Sequence, residues 1–202
     1  MKALLVFARA VDAVTDRFGV LAYWAVLLSC VISATNAVVR YAVNNSSNGW
    51  LEIQWYLFAA CVMLGAAQVL RVNEHVRVDL FYGRLGSQGQ VYIDIFGLIF
   101  FLLPVIGVMC YLTWNLFLAK LTGGMLPTDS VASLGFGAYV SKLLTSGEMS
   151  SNAGGLIRWP AVLMLPLGFA LVWLQGVAEI IKRVGWLTKQ YEMDTHYERP
   201  LQ

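Results

Sequence analysis

The stretch "VYIDIFGLIFFLLPVIGVMCYLTWNLFLA" runs from Val91 to Ala119, and its one charged residue, Asp94, stands near its start. A hydrocarbon core is crossed by roughly 20 predominantly apolar helical residues. Within lipid such a segment must satisfy its own backbone hydrogen bonds, which a helix does. Three more blocks of this kind flank it: "FGVLAYWAVLLSCVISATNAVV" (Phe18–Val39), "WLEIQWYLFAACVMLGAAQVL" (Trp50–Leu70) and "PAVLMLPLGFALVWLQGVAEII" (Pro160–Ile181). Composition agrees with a membrane protein. The 202 residues are 58% hydrophobic and 13% charged, about half the charged share of a soluble domain, and mean hydropathy is +0.65. The expected fold is an all-α integral membrane protein forming a single domain over 1–202. Its four transmembrane helices span about 18–40, 50–71, 91–119 and 160–181, with a loop at 120–159 and a tail at 182–202.

The leader before the first span holds too short an apolar run for a secretory signal, which needs about 7–15 such residues. Leu4, Phe7, Val11, Val14 and Phe18 recur at helical spacing, away from Lys2, Arg9, Asp12 and Asp16. That pattern predicts an amphipathic helix lying in the membrane interface. Lys2, Arg9 and Arg17, then Arg71, Arg77 and Arg84, then Lys182, Arg183, Lys189 and Arg199 fall on one side of the membrane. Arg40, Lys120, Lys142 and Arg158 fall on the other. The positive-inside rule therefore predicts that both termini are cytoplasmic. Trp24, Trp50, Trp55, Trp114, Trp159 and Trp186 lie toward span ends, as interfacial aromatics do.

Polar residues within a span are costly and should face protein. Ser29, Ser33, Asn36 and Arg40 form one stripe on the first span. Gln54, Phe58, Cys61, Gly65 and Gln68 form one on the second, Asp94, Gly97, Phe101 and Pro104 on the third, and Gly168, Gln175 and Glu179 on the fourth. Stripes of this kind let helices approach and hydrogen-bond. They suit a four-helix bundle, or a bundle packed against a larger membrane partner. Arg40 closes the first span and Glu52 opens the second on the same surface. They read as a substrate or ion relay, or as a salt bridge fixing the hairpin, and the boundary position favours the bridge. Asp94 reads as a boundary charge. No acid stands deep in a span, as a proton-coupled exporter would require.

Enzymatic and redox classes find little support. Cys30, Cys61 and Cys110 sit singly, without metal spacing. The two histidines, His75 and His196, lie in a connector and in the tail, which does not suit bis-histidine haem. No phosphate-binding GxxxxGK[ST] motif occurs, and no nucleic-acid partner is expected. The densest polar stretch, "NEHVRVDLFYGRL" (Asn73–Leu85), lacks a nucleophile or metal set around His75. It reads as a cytoplasmic elbow in which Arg77 and Asp79 fix the backbone or meet lipid phosphates and a partner subunit.

Four motifs in order, "WLEIQWYLF" (Trp50–Phe58), "GAAQVLRVNEHVRVDLFYGRL" (Gly65–Leu85), "GEMSSNAGGLIRWP" (Gly147–Pro160) and "LPLGFALVWLQGVAEIIKR" (Leu165–Arg183), resemble the small membrane subunit of tripartite ATP-independent periplasmic (TRAP) transporters, the DctQ-type family. "GEMSSNAGGLIRWP" further resembles the mannitol or chloroaromatic branch, which includes oxo-acid and lactate systems. The resemblance implies a bacterial inner-membrane scaffold that partners a large elevator-type membrane subunit and a periplasmic substrate-binding protein. It also implies sodium-coupled import of organic acids, with substrate and sodium held by the large subunit and no cofactor, metal or catalytic residue here. The competing class is an autonomous four-helix transporter. Arg40, Glu52, His75, Arg77, Asp79, Asp94, Trp159 and Gln175 are the candidate structural, partner or lipid contacts. The segment from Lys120 to Ser146 is longer than the resemblance leads one to expect. It should be a loop with one short helix, Ala138 to Leu144, that either touches the binding protein or is a subfamily ornament.

Overall fold

A computed structural model describes residues 1–44, 47–73 and 85–192. His75, Arg77, Asp79 and His196 lie outside the described residues, and so does most of the elbow. Among the described residues six helices follow in order: α1 (Lys2–Val43), α2 (Asn48–Val72), α3 (Ser87–Leu121), α4 (Val131–Leu134), α5 (Phe136–Thr145) and α6 (Trp159–Leu187). Among the described residues the only β pairing is an isolated antiparallel bridge, Met149 to Ile157. The helices α1, α2, α3 and α6 are long and apolar enough to cross a membrane. They alternate in direction. Met1, Asn73, Leu85 and Glu192 therefore share one end of the molecule (the terminal end), while Asn44, Ser47 and residues 122–158 share the other (the distal end).

Local chemistry explains where these helices stop and bend. Helices α1 and α2 end on Asn44 and Asn73, with φ of 54° and 62°. Asparagine tolerates this left-handed conformation better than most side chains. Helix α3 widens into a π turn over Leu98–Leu102, immediately before Pro104. Proline has no N–H to offer and its ring crowds the preceding turn, and the π turn absorbs the mismatch.

The leader is not a separate helix. It is continuous with the first span in the 42 residues of α1. Its buried face is Leu5, Ala8, Val11 and Thr15, whereas Leu4, Phe7 and Val14 are exposed. An apolar stripe at helical spacing suits a membrane interface and a protein neighbour alike, and here the neighbour is α6. Ala8 and Val11 pack with Ala178 and Ile181.

Helix α6 is the hub. It packs on α1, α2 and α3, and α1 packs on α2, while α3 has its main contact with α6. Small residues set these distances. A Cβ on Gly168 would stand 2.6 Å from the Met63 carbonyl oxygen, so α2 and α6 meet backbone to backbone there. Gly65 lies against Ala22, and Gly176 lies under Leu102 and Leu103. Ala22, Leu64, Ala67 and Leu171 form the central apolar cluster. Five residues assigned to protein-facing stripes, Ser33, Arg40, Phe58, Phe101 and Pro104, are exposed, the two phenylalanines at 65% and 64%. Aromatic rings suit lipid as well as protein, so their periodic position did not fix their neighbour.

The distal segment differs from the single helix expected. Ser130 and Ser133 form a reciprocal capping box that starts α4. Gly135, at φ 77°, ends it and admits α5 directly behind.

Candidate functional site

Polar chemistry gathers in two clusters, one at each end of the helices. At the terminal end, α6 presents Gln175, Glu179, Lys182 and Arg183 at helical spacing, all buried. Facing them, α1 presents Asp12, Thr15 and Asp16. Helix α2 contributes Arg71 from its last turn and α3 contributes Asp94.

Gln175 and Thr15 are wholly inaccessible. The Thr15 hydroxyl donates to Gln175 Oε1 at 2.7 Å. Gln175 Nε2 donates to Asp12 Oδ1 at 2.8 Å and to Glu179 Oε1 at 3.0 Å. Lys182 Nζ donates to Asp12 at 3.0 Å and also meets Glu179. Arg183 binds Asp94 through Nε at 3.1 Å and Glu179 through Nη1. Arg71 joins Asp16 and stands 3.7 Å from Asp12. Every carboxylate in the cluster faces a cation, and all four long helices contribute. Such a network adds little net stability over an apolar core, but breaking one member strands the charges left behind. It holds the helices in one arrangement.

Sequence reasoning placed Gln175 and Glu179 on an inward face and Asp94 at a boundary. Lys182 and Arg183 were assigned to the tail as orientation signals. They belong to α6 and are buried, because Asp12 and Asp94 reach them from 170 and 89 residues away. The available signal was the i, i+3 and i, i+4 spacing of Lys182 and Arg183 from Glu179.

At the distal end, the hairpin from Glu148 to Arg158 folds over the start of α2. Ser150 N–H donates to the Leu156 carbonyl at 2.9 Å and Arg158 N–H to the Glu148 carbonyl at 2.9 Å. The Glu52 carboxylate accepts from the Ser150 hydroxyl, from Asn152 Nδ2 at 2.8 Å and from the Leu156 N–H at 2.6 Å. Tyr56 donates to the Ile157 carbonyl at 3.0 Å and Asn48 to the Ala153 carbonyl at 2.9 Å. A carboxylate is an acceptor with several lone pairs, and this loop presents donors to it. The "GEMSSNAGGL" motif thus supplies the Glu52 cradle.

Arg40 is not a partner of Glu52. It is exposed in the last turn of α1 and the Glu52 oxygens are taken by the hairpin. The expected Arg40–Glu52 bridge is therefore replaced by a link between α2 and the segment leading into α6. Behind the hairpin, Glu148 binds Lys120 at 2.5 Å and Arg158 at 2.9 Å. The Lys120 and then the Arg158 hydrogen bonds hold the Glu148 carboxyl below its usual pKa, against some desolvation. Trp159 opens α6, and its indole N–H donates to the Leu144 carbonyl at 3.0 Å.

Among the described residues no group of three His, Cys, Asp or Glu side chains is placed to hold a metal. A recess of about 130 Å³ lies between the distal ends of α1 and α2, lined by Thr35, Asn36, Val39, Ser47 and Trp50. It is smaller than the roughly 300–1,000 Å³ of small-molecule clefts.

These features define a class: an all-helical, multi-pass membrane protein whose four long helices are fastened at both ends. A family model, "Tripartite ATP-independent periplasmic transporters, DctQ component", matches residues 29–185. The chain belongs to this family and is the small component of a TRAP transporter. In TRAP systems the family works with a large membrane subunit and a periplasmic binding protein. It is a family of transporter components and not of enzymes. No curated protein and no solved structure matches the chain.

Proposed function

We propose that this chain is a static scaffold subunit in a bacterial inner membrane, where it supports a large elevator-type subunit that moves organic acids together with sodium. The observation that carries this reading is the terminal-end network, in which Asp12, Asp94, Glu179, Lys182 and Arg183 join α1, α3 and α6 through buried ion pairs. The second cluster, around Glu52, ties α2 to the entry of α6. Helices fastened at both ends suit a support that stays still while a partner moves. Substrate and sodium would be held by the large subunit, with no cofactor here. A periplasmic protein would deliver the substrate.

Orientation follows the basic residues. Lys2, Arg9, Arg17, Arg71 and Lys189 lie toward the terminal end, and the positive-inside rule applied to them supports cytoplasmic termini even with Lys182 and Arg183 set aside as internal partners. Arg40, His75, Arg77 and Asp79 are offered as contacts to the large subunit or to lipid phosphates. Resemblance of "GEMSSNAGGLIRWP" favours the branch handling oxo or hydroxy monocarboxylates or aromatic acids.

Co-expression with a TRAP large subunit from the same genome, followed by affinity purification through this chain, tests the reading. A stoichiometric complex is expected. Recovery of the chain alone, from membranes that contain both proteins, would count against a scaffold role.

A further inference from the structure

The distal segment 122–146 is an arm that packs little on the four long helices and carries an apolar surface of its own. Leu126, Val131 and Phe136 are 60%, 48% and 74% exposed, and Leu134 and Leu144 are exposed beside them. The arm holds two charged residues, Asp129 and Lys142. They bind each other at 2.7 Å, and the Asp129 carboxylate also accepts the Leu126 N–H at 2.8 Å. The arm thus offers a partner no unpaired charge, and long-range steering of a soluble protein needs one.

Its backbone is largely closed on itself. The capping box serves the start of α4, Gly135 N–H reaches the Val131 carbonyl at 2.9 Å, and Tyr139 N–H reaches the Gly135 carbonyl at 3.0 Å. Internal satisfaction of this kind is what a water-poor environment demands.

The height of the arm is set at its root. It leaves the end of α3 at Leu121 and returns to α6 at Trp159, and both helices are long and apolar enough to span a membrane. Gly124 lies so close to Ser146 that an added Cβ would overlap the Ser146 carbonyl, which pins the two stems together. The Trp159 indole then holds the last turn of α5 through the Leu144 carbonyl. Tryptophan at a span end marks the headgroup level. The exposed apolar helix pair is tied to that level, and the last turns of α3 that lead into it also expose Leu116 and Leu118.

We propose that the arm 122–146 is a membrane-interface anchor, with Leu126, Val131, Leu134 and Phe136 inserted at the boundary between headgroups and acyl chains on the distal side. This rests on the four-span fold and not on the transporter reading. A neutral, apolar arm fits lipid better than it fits a periplasmic protein.

The test uses the full chain in phospholipid nanodiscs, with Cys30, Cys61 and Cys110 replaced by alanine. Single cysteines at Leu126 (Leu126→Cys), Phe136 (Phe136→Cys) and, as a water-facing reference on the same arm, Ser141 (Ser141→Cys) are labelled with an environment-sensitive fluorophore. All three residues are exposed, so the labels do not disturb packing. Labels at 126 and 136 are expected to be quenched by lipids bearing a nitroxide near the top of the acyl chain. Iodide should quench them about three-fold or more less than the label at 141, as for groups sunk about 5–10 Å into the interface. Equal iodide quenching at all three sites, with no response to nitroxide lipids, would overturn the proposal. So would shielding of 126 and 136 that arises only when a periplasmic binding protein is added.

Discussion

Replacing Gln175 by leucine nearly preserves side-chain volume and deletes three hydrogen bonds at a wholly buried position: one from Thr15 and one each to Asp12 and Glu179. A neutral bond contributes about 0.5–1.5 kcal/mol and one to a charged group about 1.5–3 kcal/mol. Simple addition therefore gives about 3.5–7.5 kcal/mol. Two features reduce this. Asp12 keeps Lys182, and Glu179 keeps both Lys182 and Arg183. Polar contacts between membrane helices also contribute less, about 0.6–2 kcal/mol each, because the separated helices find other partners. The expected loss for Gln175→Leu is thus about 2–4 kcal/mol, a factor of about 30 to 1,000 in the unfolding equilibrium. Gln175→Ala adds a cavity and should cost roughly 1–2 kcal/mol more. Unfolding in mixed micelles of rising denaturing-detergent fraction, followed by tryptophan fluorescence, measures both. If Gln175→Leu unfolds within about 0.5 kcal/mol of the parent, as a surface substitution would, then the network does not hold α1 to α6 and the reasoning fails.

Gly168→Ala would force a methyl group onto the Met63 carbonyl, so overpacking should cost about 1–3 kcal/mol in the same assay and separate α2 from α6. Glu52→Ala removes the acceptor of the Leu156 N–H. Amide hydrogen exchange across 147–158 should quicken on the order of ten-fold, a modest figure for loss of charge-assisted bonds, while exchange in the middle of α6 stays unchanged. The bonds from Lys142 and the Leu126 N–H hold the Asp129 carboxyl below its usual pKa. A lowered folded-state pKa means that the stabilising effect is present above the ordinary aspartate range and is lost as pH falls through the lowered value. Exchange of the Leu126 amide should therefore be steady near neutrality and rise, beyond its intrinsic pH dependence, only on strong acidification.

Much of the fold was legible because apolar blocks as long as Val91–Ala119 have few solutions in lipid. The inward face of α6 was legible for a similar reason: Gly168, Gln175 and Glu179 repeat with the helical period, and polar groups in a span are too costly to face lipid. Periodicity names a face but not the neighbour that covers it. The partners of Lys182 and Arg183 come from α1 and α3, far away in the chain, and no local pattern announces them. Proximity in sequence suggested Arg40 for Glu52, whereas the hairpin at 150–156 presents neutral donors from about 100 residues away. The leader shows the same ambiguity, since its amphipathic spacing fits a lipid surface and a helix packed on α6 equally well. Phe58 and Phe101 failed as buried residues because aromatic rings are at home in both settings.

The central claim, that this chain supports transport without performing it, is tested most directly by uptake into proteoliposomes. Vesicles carrying this chain alone, this chain with its large subunit, and the same large subunit with a small subunit from another TRAP system are given the cognate binding protein and an organic acid on the outside, with an inward sodium gradient. Uptake is expected only when the large subunit is present, with substrate choice unchanged by exchange of the small subunit. Uptake by this chain alone, or a change of substrate when only the small subunit is exchanged, would contradict the account.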